Sequence, residues 1–352
     1  MIEKYYDGAI EQVAAGLGTV EKNHLLVRYS GQFSVENLND TKQLEKNEDI
    51  FVQVHEFETG EITCAYEPYL TMICDGFRRY MTGTFEEFME TCDVYYLHRP
   101  VLLGYFNQDN TGREEIILLD EVAYEQERML AALERMLCAI ADRHPVLFVL
   151  NRFQLASKST MQLTARFLKC ENCNIGLVLG VSDIQAMPEF LVPDWEMLYE
   201  TLDDGSKIYH IGNSGRKKEE TIDDEKYVDY GSEKVYRKLQ NMVEFLDFDQ
   251  AAYYLETIER KIKFDNLLVD DAARFRMWLL FVKVSILRQD IPKALEICED
   301  LEKIHLAGKE EECAYEQDYL IATAYMYQGK LKEALELSLI HISEPTRQAE
   351  IS

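Results

Sequence analysis

Long apolar runs are missing from this sequence. No stretch reaches the roughly 18 to 20 residues that span a bilayer. The opening segment, MIEKYYDGAIEQVAAG, mixes charges where a signal peptide needs an apolar core. Basic residues are scarce: 37 Lys and Arg stand against 64 Asp and Glu, a formal net charge of -27. A phosphate-binding surface needs clustered cations, and anionic lipid repels an acidic protein. These shortages predict a cytoplasmic protein with no membrane partner and no nucleic-acid partner through the visible part. An acidic surface of this kind keeps a chain soluble and monomeric.

Paired metal ligands are missing too. Eight cysteines fall at positions 64, 74, 92, 138, 170, 173, 298 and 313, mostly in apolar stretches, and read as reduced core thiols. Cys170 and Cys173 form one CxxC, with no second pair at zinc spacing. The histidines are dispersed and no HExxH occurs; His98 and His144, near prolines, read as surface or capping residues. Asp203-Asp204-Gly205 reads as a turn, with no series of calcium ligands behind it. No Ser or Cys nucleophile elbow is present. No metal site is expected.

What is present divides the 352 residues into unlike halves. Residues 1–215 alternate strand-like and helical runs, the pattern of an α/β domain with a parallel sheet. The predicted strands are HLLVRY (24–29), IFVQVHEF (50–57), VLFVL (146–150), IGLVLGV (175–181) and KIYHIG (207–212). The clearest predicted helix carries Met129, Leu130, Leu133, Leu137 and Ile140 at helical spacing. A polar linker covers 216–235, and residues 236–336 are all-α and repetitive. Ala251, Ala294 and Ala334 sit in similar octets 43 and 40 residues apart, a period that calls for helical hairpins. The last two units resemble tetratricopeptide repeats. Trp278 and Ala294 match in one, and Tyr325, Gly329 and Ala334 in the other. That resemblance implies a concave face for a protein or peptide.

The third strand runs abruptly from apolar to polar in PVLFVLNRFQLASKST (145–160). A buried parallel strand delivers its carboxyl end to a nucleotide site in this manner. The stretch from Leu150 to Thr160 resembles the second acidic motif, LDDLQWADPAS, of the STAND signal-transduction ATPases. Leu150, Gln154 and Ala156 match outright, and CAYEPYLTMICDGF resembles the family's segment after the second strand, with Pro68 in place. The resemblance implies a P-loop NTPase-like fold and a bacterial signalling protein.

The departures fall on the chemistry. Asn151 and Arg152 occupy the two acidic positions that would hold Mg²⁺, and Ser157 replaces a third aspartate. After the first strand comes YSGQFSVENLND, which keeps Gly31 but lacks the Lys-Ser/Thr pair of a P-loop. Electrostatic stabilisation supplies most of phosphoryl-transfer catalysis, so these losses predict a pseudo-ATPase. The candidate nucleotide-binding residues are Gly31, Asn151, Arg152 and Asp183. No catalytic residue and no resident cofactor are expected, ATP being the one candidate ligand. Asp183 or Glu121 could supply the missing acid of a divergent but live switch. A sensor that binds without hydrolysing and a plain interaction scaffold are the other readings.

The final residues carry a different signature. Leu337–Arg347 back-translates to a string that resembles a transposase-kit sequencing adapter, so 337–352 is expected to be adapter-derived. The repeat array is then expected to continue in the natural protein, toward an output domain. The family resemblance implies a nucleotide or diguanylate cyclase, or a helix-turn-helix domain.

Overall fold

A computed structural model describes residues 2–17, 24–29, 49–58, 60–109, 121–170, 174–182, 187–203, 207–211, 228–304 and 311–337. The chain divides into two compact units: Met1–Ile116 with Ala123–Val228, and Asp229–Ser352 with Ile117–Val122.

All five predicted strands form in the first unit. They are β1 (Leu25–Tyr29), β2 (Phe51–Glu56), β3 (Val146–Asn151), β4 (Ile175–Ser182) and β5 (Lys207–Ile211). Every pairing is parallel, and the order is β2-β3-β4-β1-β5. β3 and β4 are buried at every position. Parallel strands covered on both faces need apolar side chains both ways, which is why these two read as unbroken hydrophobic runs.

On one face, Leu147 and Val149 join Leu25, Val27, Tyr29 and Val178 in a core with Ile10 and Val13 of α1 (Ile2–Gly16). Gly176 permits this approach, since a Cβ there would lie 2.6 Å from Val13 Cγ1. On the other face, Phe148 meets the ring of Tyr69 at 4.7 Å. Tyr69 opens α2 (Tyr69–Tyr80), which is followed by α3 (Phe85–Thr91), α4 (Arg99–Asn107), α5 (Val122–Ala141), α6 (Lys158–Lys169) and α7 (Val192–Asp203). The five apolar positions expected to line one side of α5 are all buried.

Buried hydroxyls then fix the chain around the end of β3. Ser157 caps α6 by accepting from the Thr160 N–H. Thr160 Oγ1 donates to the Glu67 carbonyl at 2.9 Å, and the Tyr66 N–H donates to Ser159 Oγ at 3.0 Å. Ser157 thus serves as a helix cap, a role that serine fills well.

A surface or capping role was expected of His98; it stands at the N-cap position of α4, but its side chain makes no cap hydrogen bond. The tight turn Tyr96–His98 runs straight into α4, and the His98 ring is turned inward, fully buried. Its Nε2 lies 3.2 Å from Glu125 Oε2 on α5, while Arg128 reaches Glu125 Oε1 at 2.6 Å. His144 is half-buried and stacks on Tyr80. Cys64, Cys74, Cys92, Cys138, Cys170 and Cys298 are free thiols; burial pushes Cys74 up to about 12 and Cys92 up to about 11.

The second unit is helical: α8 (Glu233–Glu244), α9 (Phe248–Phe264), α10 (Asp271–Leu287), α11 (Ile291–Glu302), α12 (Glu311–Tyr327) and α13 (331–337). Ser232 caps α8, so Glu233, Lys234 and Val235 of the expected linker are already helical. Three hairpins, α8–α9, α10–α11 and α12–α13, share one turn. Each turn places a left-handed residue five positions before a buried alanine: Leu246 before Ala251, Gln289 before Ala294, and Gly329 before Ala334. The next N–H closes the turn on a carbonyl five residues back: Asp247 to Met242, Asp290 to Ser285 and Lys330 to Tyr325, at 2.7 to 2.9 Å. This is the Schellman closure of a helix end. The 43- and 40-residue spacing of the alanines is therefore a repeat of backbone geometry. No described helix is long and apolar enough to cross a membrane.

Candidate functional site

The strand order indicates where a ligand would sit in the first unit. β1 leads toward β2, whereas its neighbour β4 leads over β1 toward β5. Adjacent strands whose connections depart to opposite sides open a crevice beyond their carboxyl ends. The rim at that point is built by Tyr29 on β1, Ser182 beside it on β4, and Asn151 and Arg152 at the end of β3.

Side chains of the chain itself occupy this rim. Tyr29 lies one strand beyond β4 from Asn151, yet its ring is long enough to reach over, and its hydroxyl donates to Asn151 Oδ1 at 2.7 Å. Both residues are almost completely buried. Burial pushes the Tyr29 phenol up to about 12, with nearby Arg152 opposing the rise and Glu56 adding to it. At neutral pH the phenol is a protonated donor. The Ser182 N–H donates to Gln154 Oε1 at 3.3 Å, which ties the turn after β3 to the end of β4.

Arg152 follows in a left-handed conformation, φ 54° and ψ 41°, at the head of the short turn Phe153–Leu155. A non-glycine residue there carries backbone strain of about 1 kcal/mol. Its Nε lies 3.4 Å from Glu56 Oε1, where β2 ends beside β3. Strong charge-assisted bonds are shorter, about 2.7 to 2.9 Å, so this pair is loose.

The chemistry of the rim follows from these contacts. Asn151 has no charge, and its oxygen already accepts a hydrogen bond from the Tyr29 hydroxyl. Arg152 repels a divalent cation and suits an anion. Among the described residues, no group of three or more His, Cys, Asp or Glu is arranged to hold a metal ion. No protein-family model and no curated protein matches this sequence. Of the four candidate residues, Asn151 and Arg152 stand together on the rim, whereas Gly31 and Asp183 lie outside the described residues. Glu121 is exposed at the start of α5.

Sequence reasoning missed Tyr29 and Glu56. Their only signal was position, each at the polar end of a predicted strand. Nothing in the sequence indicates that β1 would end within a tyrosine's reach of β3.

Proposed function

We propose that this chain is the regulatory part of a signalling protein. Its α/β unit is a P-loop NTPase-like module that has lost phosphoryl transfer. Its helical hairpins are a tetratricopeptide-like array that binds a protein or peptide and governs an output domain, a cyclase or a helix-turn-helix. The observation that supports the loss of catalysis is the rim of β3. Where Mg²⁺-binding carboxylates are expected, Asn151 is engaged by Tyr29 and Arg152 is paired with Glu56. Hydrolysis of Mg·ATP by the purified chain should not exceed the buffer background. Turnover above background, lost on Asp183→Asn, would instead establish a divergent active switch. Sequencing the gene's 3′ region from source DNA with adapter-free reads tests the output domain.

The looseness of the Arg152–Glu56 pair favours a second reading, a sensor that binds nucleotide without cleaving it. In that case ATP binding, followed by calorimetry, weakens on Arg152→Ala. Unchanged affinity removes Arg152 from such a site, and no binding at all favours the plain scaffold.

A further inference from the structure

Among the described residues, β2 is an edge strand, paired with β3 alone. Its Phe51 N–H donates to the Pro145 carbonyl at 2.8 Å, and the Phe57 N–H beyond its end donates to the Asn151 carbonyl at 3.0 Å. Main-chain groups alternate sides along a strand, so those of Val52 and Val54 turn outward, away from β3. Among the described residues, the main chain of Val52 and Val54 has no hydrogen-bond partner on that side.

Edge strands are ordinarily blunted by proline, lysine or a bulge. FVQVHE contains neither residue, and its register with β3 runs unbroken from Phe51↔Val146 to Glu56↔Asn151. The Val52 and Val54 side chains are half-buried and pack against the core beneath α1. An added strand would therefore extend an apolar face. Exposed carboxylates stand at both ends: Asp49 before the strand, and Glu58 and Glu61 after it.

We propose that the outer edge of β2 docks an extended segment of a partner protein, β-branched at alternate positions and basic at its ends. Main-chain hydrogen bonds to Val52 and Val54 hold the segment, and the terminal carboxylates select its charge. A second copy fits less well. Antiparallel pairing about Gln53 would set Val52 opposite Val54 and bring the acidic ends of the two edges together, between chains of net charge -27 each. The outward main chain of Val52 and Val54 takes no part in the contacts of Asn151 and Arg152, and the inference stands whichever reading of that rim holds.

The test is amide hydrogen exchange on the full chain, with and without the synthetic peptide Lys-Val-Thr-Val-Thr-Val-Lys. Exchange at Val52 and Val54 should slow by at least about tenfold when the peptide pairs with them. The same peptide with proline replacing both threonines should have no effect. Val54→Pro removes an N–H that the β3 ladder does not use, so it should abolish the protection while β2–β3 pairing persists. Should that variant fail to fold, Asp49→Lys with Glu58→Lys, both at exposed positions, should weaken peptide binding several-fold at low salt. Absence of protection by the peptide overturns the proposal. So does strong protection of both amides in the chain alone. Protection that grows with chain concentration and needs no peptide overturns it in favour of a second copy.

Discussion

Removing the Tyr29 hydroxyl tests the account of the rim most directly. Tyr29→Phe keeps the ring that fills the core beneath α1 and deletes one donor, 2.7 Å from an oxygen with no solvent access. A neutral hydrogen bond contributes about 1 kcal/mol net, and a buried acceptor left without its donor costs about 1 to 3 kcal/mol. The substitution should therefore cost about 2 kcal/mol. Asn151→Leu removes the phenol's amide acceptor, with Arg152 still beside the hydroxyl, and should cost a similar amount. Combining the two changes replaces a polar pair with an apolar one, so the double variant should be more stable than the sum of the single losses, by about 1 to 2 kcal/mol. The chain has two tryptophans, Trp195 in the first unit and Trp278 in the second. In a Trp278→Phe background, urea unfolding read by fluorescence reports the first unit alone. A Tyr29→Phe loss within about 0.3 kcal/mol of zero, or strict additivity in the double variant, would refute the reasoning.

Two further outcomes follow from the same contacts. Because burial raises the Tyr29 phenol to about 12, the folded unit keeps a proton that the unfolded chain releases near pH 10. The resulting stability, up to about 2.7 kcal/mol, is present below about pH 10 and lost as pH rises through the folded value. Cys74 and Cys92 act in the same direction. The urea midpoint should fall above about pH 10, and less steeply in Tyr29→Phe; a flat midpoint to about pH 11 argues against it. In the hairpin array, Gly329 has φ 82° with nothing within 4 Å of a built Cβ, so Gly329→Ala carries only conformational strain, about 1 kcal/mol. Gln289 is exposed at the same turn position with φ 62°, and Gln289→Gly should stabilise by about 0.5 to 1 kcal/mol. Melts followed by Trp278 in a Trp195→Phe background should show opposite signs.

Much of this architecture was legible in the residues. β3 and β4 read as apolar runs because parallel strands covered on both faces leave little place for polar side chains. The spacing of Ala251, Ala294 and Ala334 carried the hairpin repeat, since close helix packing admits only a small residue there. The polar break after Leu150 located the rim, because the strand's apolar run gives way there to the polar side chains of Asn151 and Arg152. Asn151 and Arg152 could be named as its residues, but their roles could not be read.

Those roles depend on strand order, which local pattern does not encode. Setting β1 one strand away from β3 brings Tyr29 to Asn151 across 122 residues of chain, and setting β2 beside β3 brings Glu56 to Arg152. The same holds for His98: its sequence neighbours mark an element end, and only the packing of α5 against that turn supplies Glu125 and buries the pair. Residue types along the chain determine which segments become strands, helices and turns, because periodicity and backbone preference act within a few residues. Which polar groups meet, and whether a buried amide is free for a ligand or already taken, is decided by tertiary contacts between segments far apart in the chain.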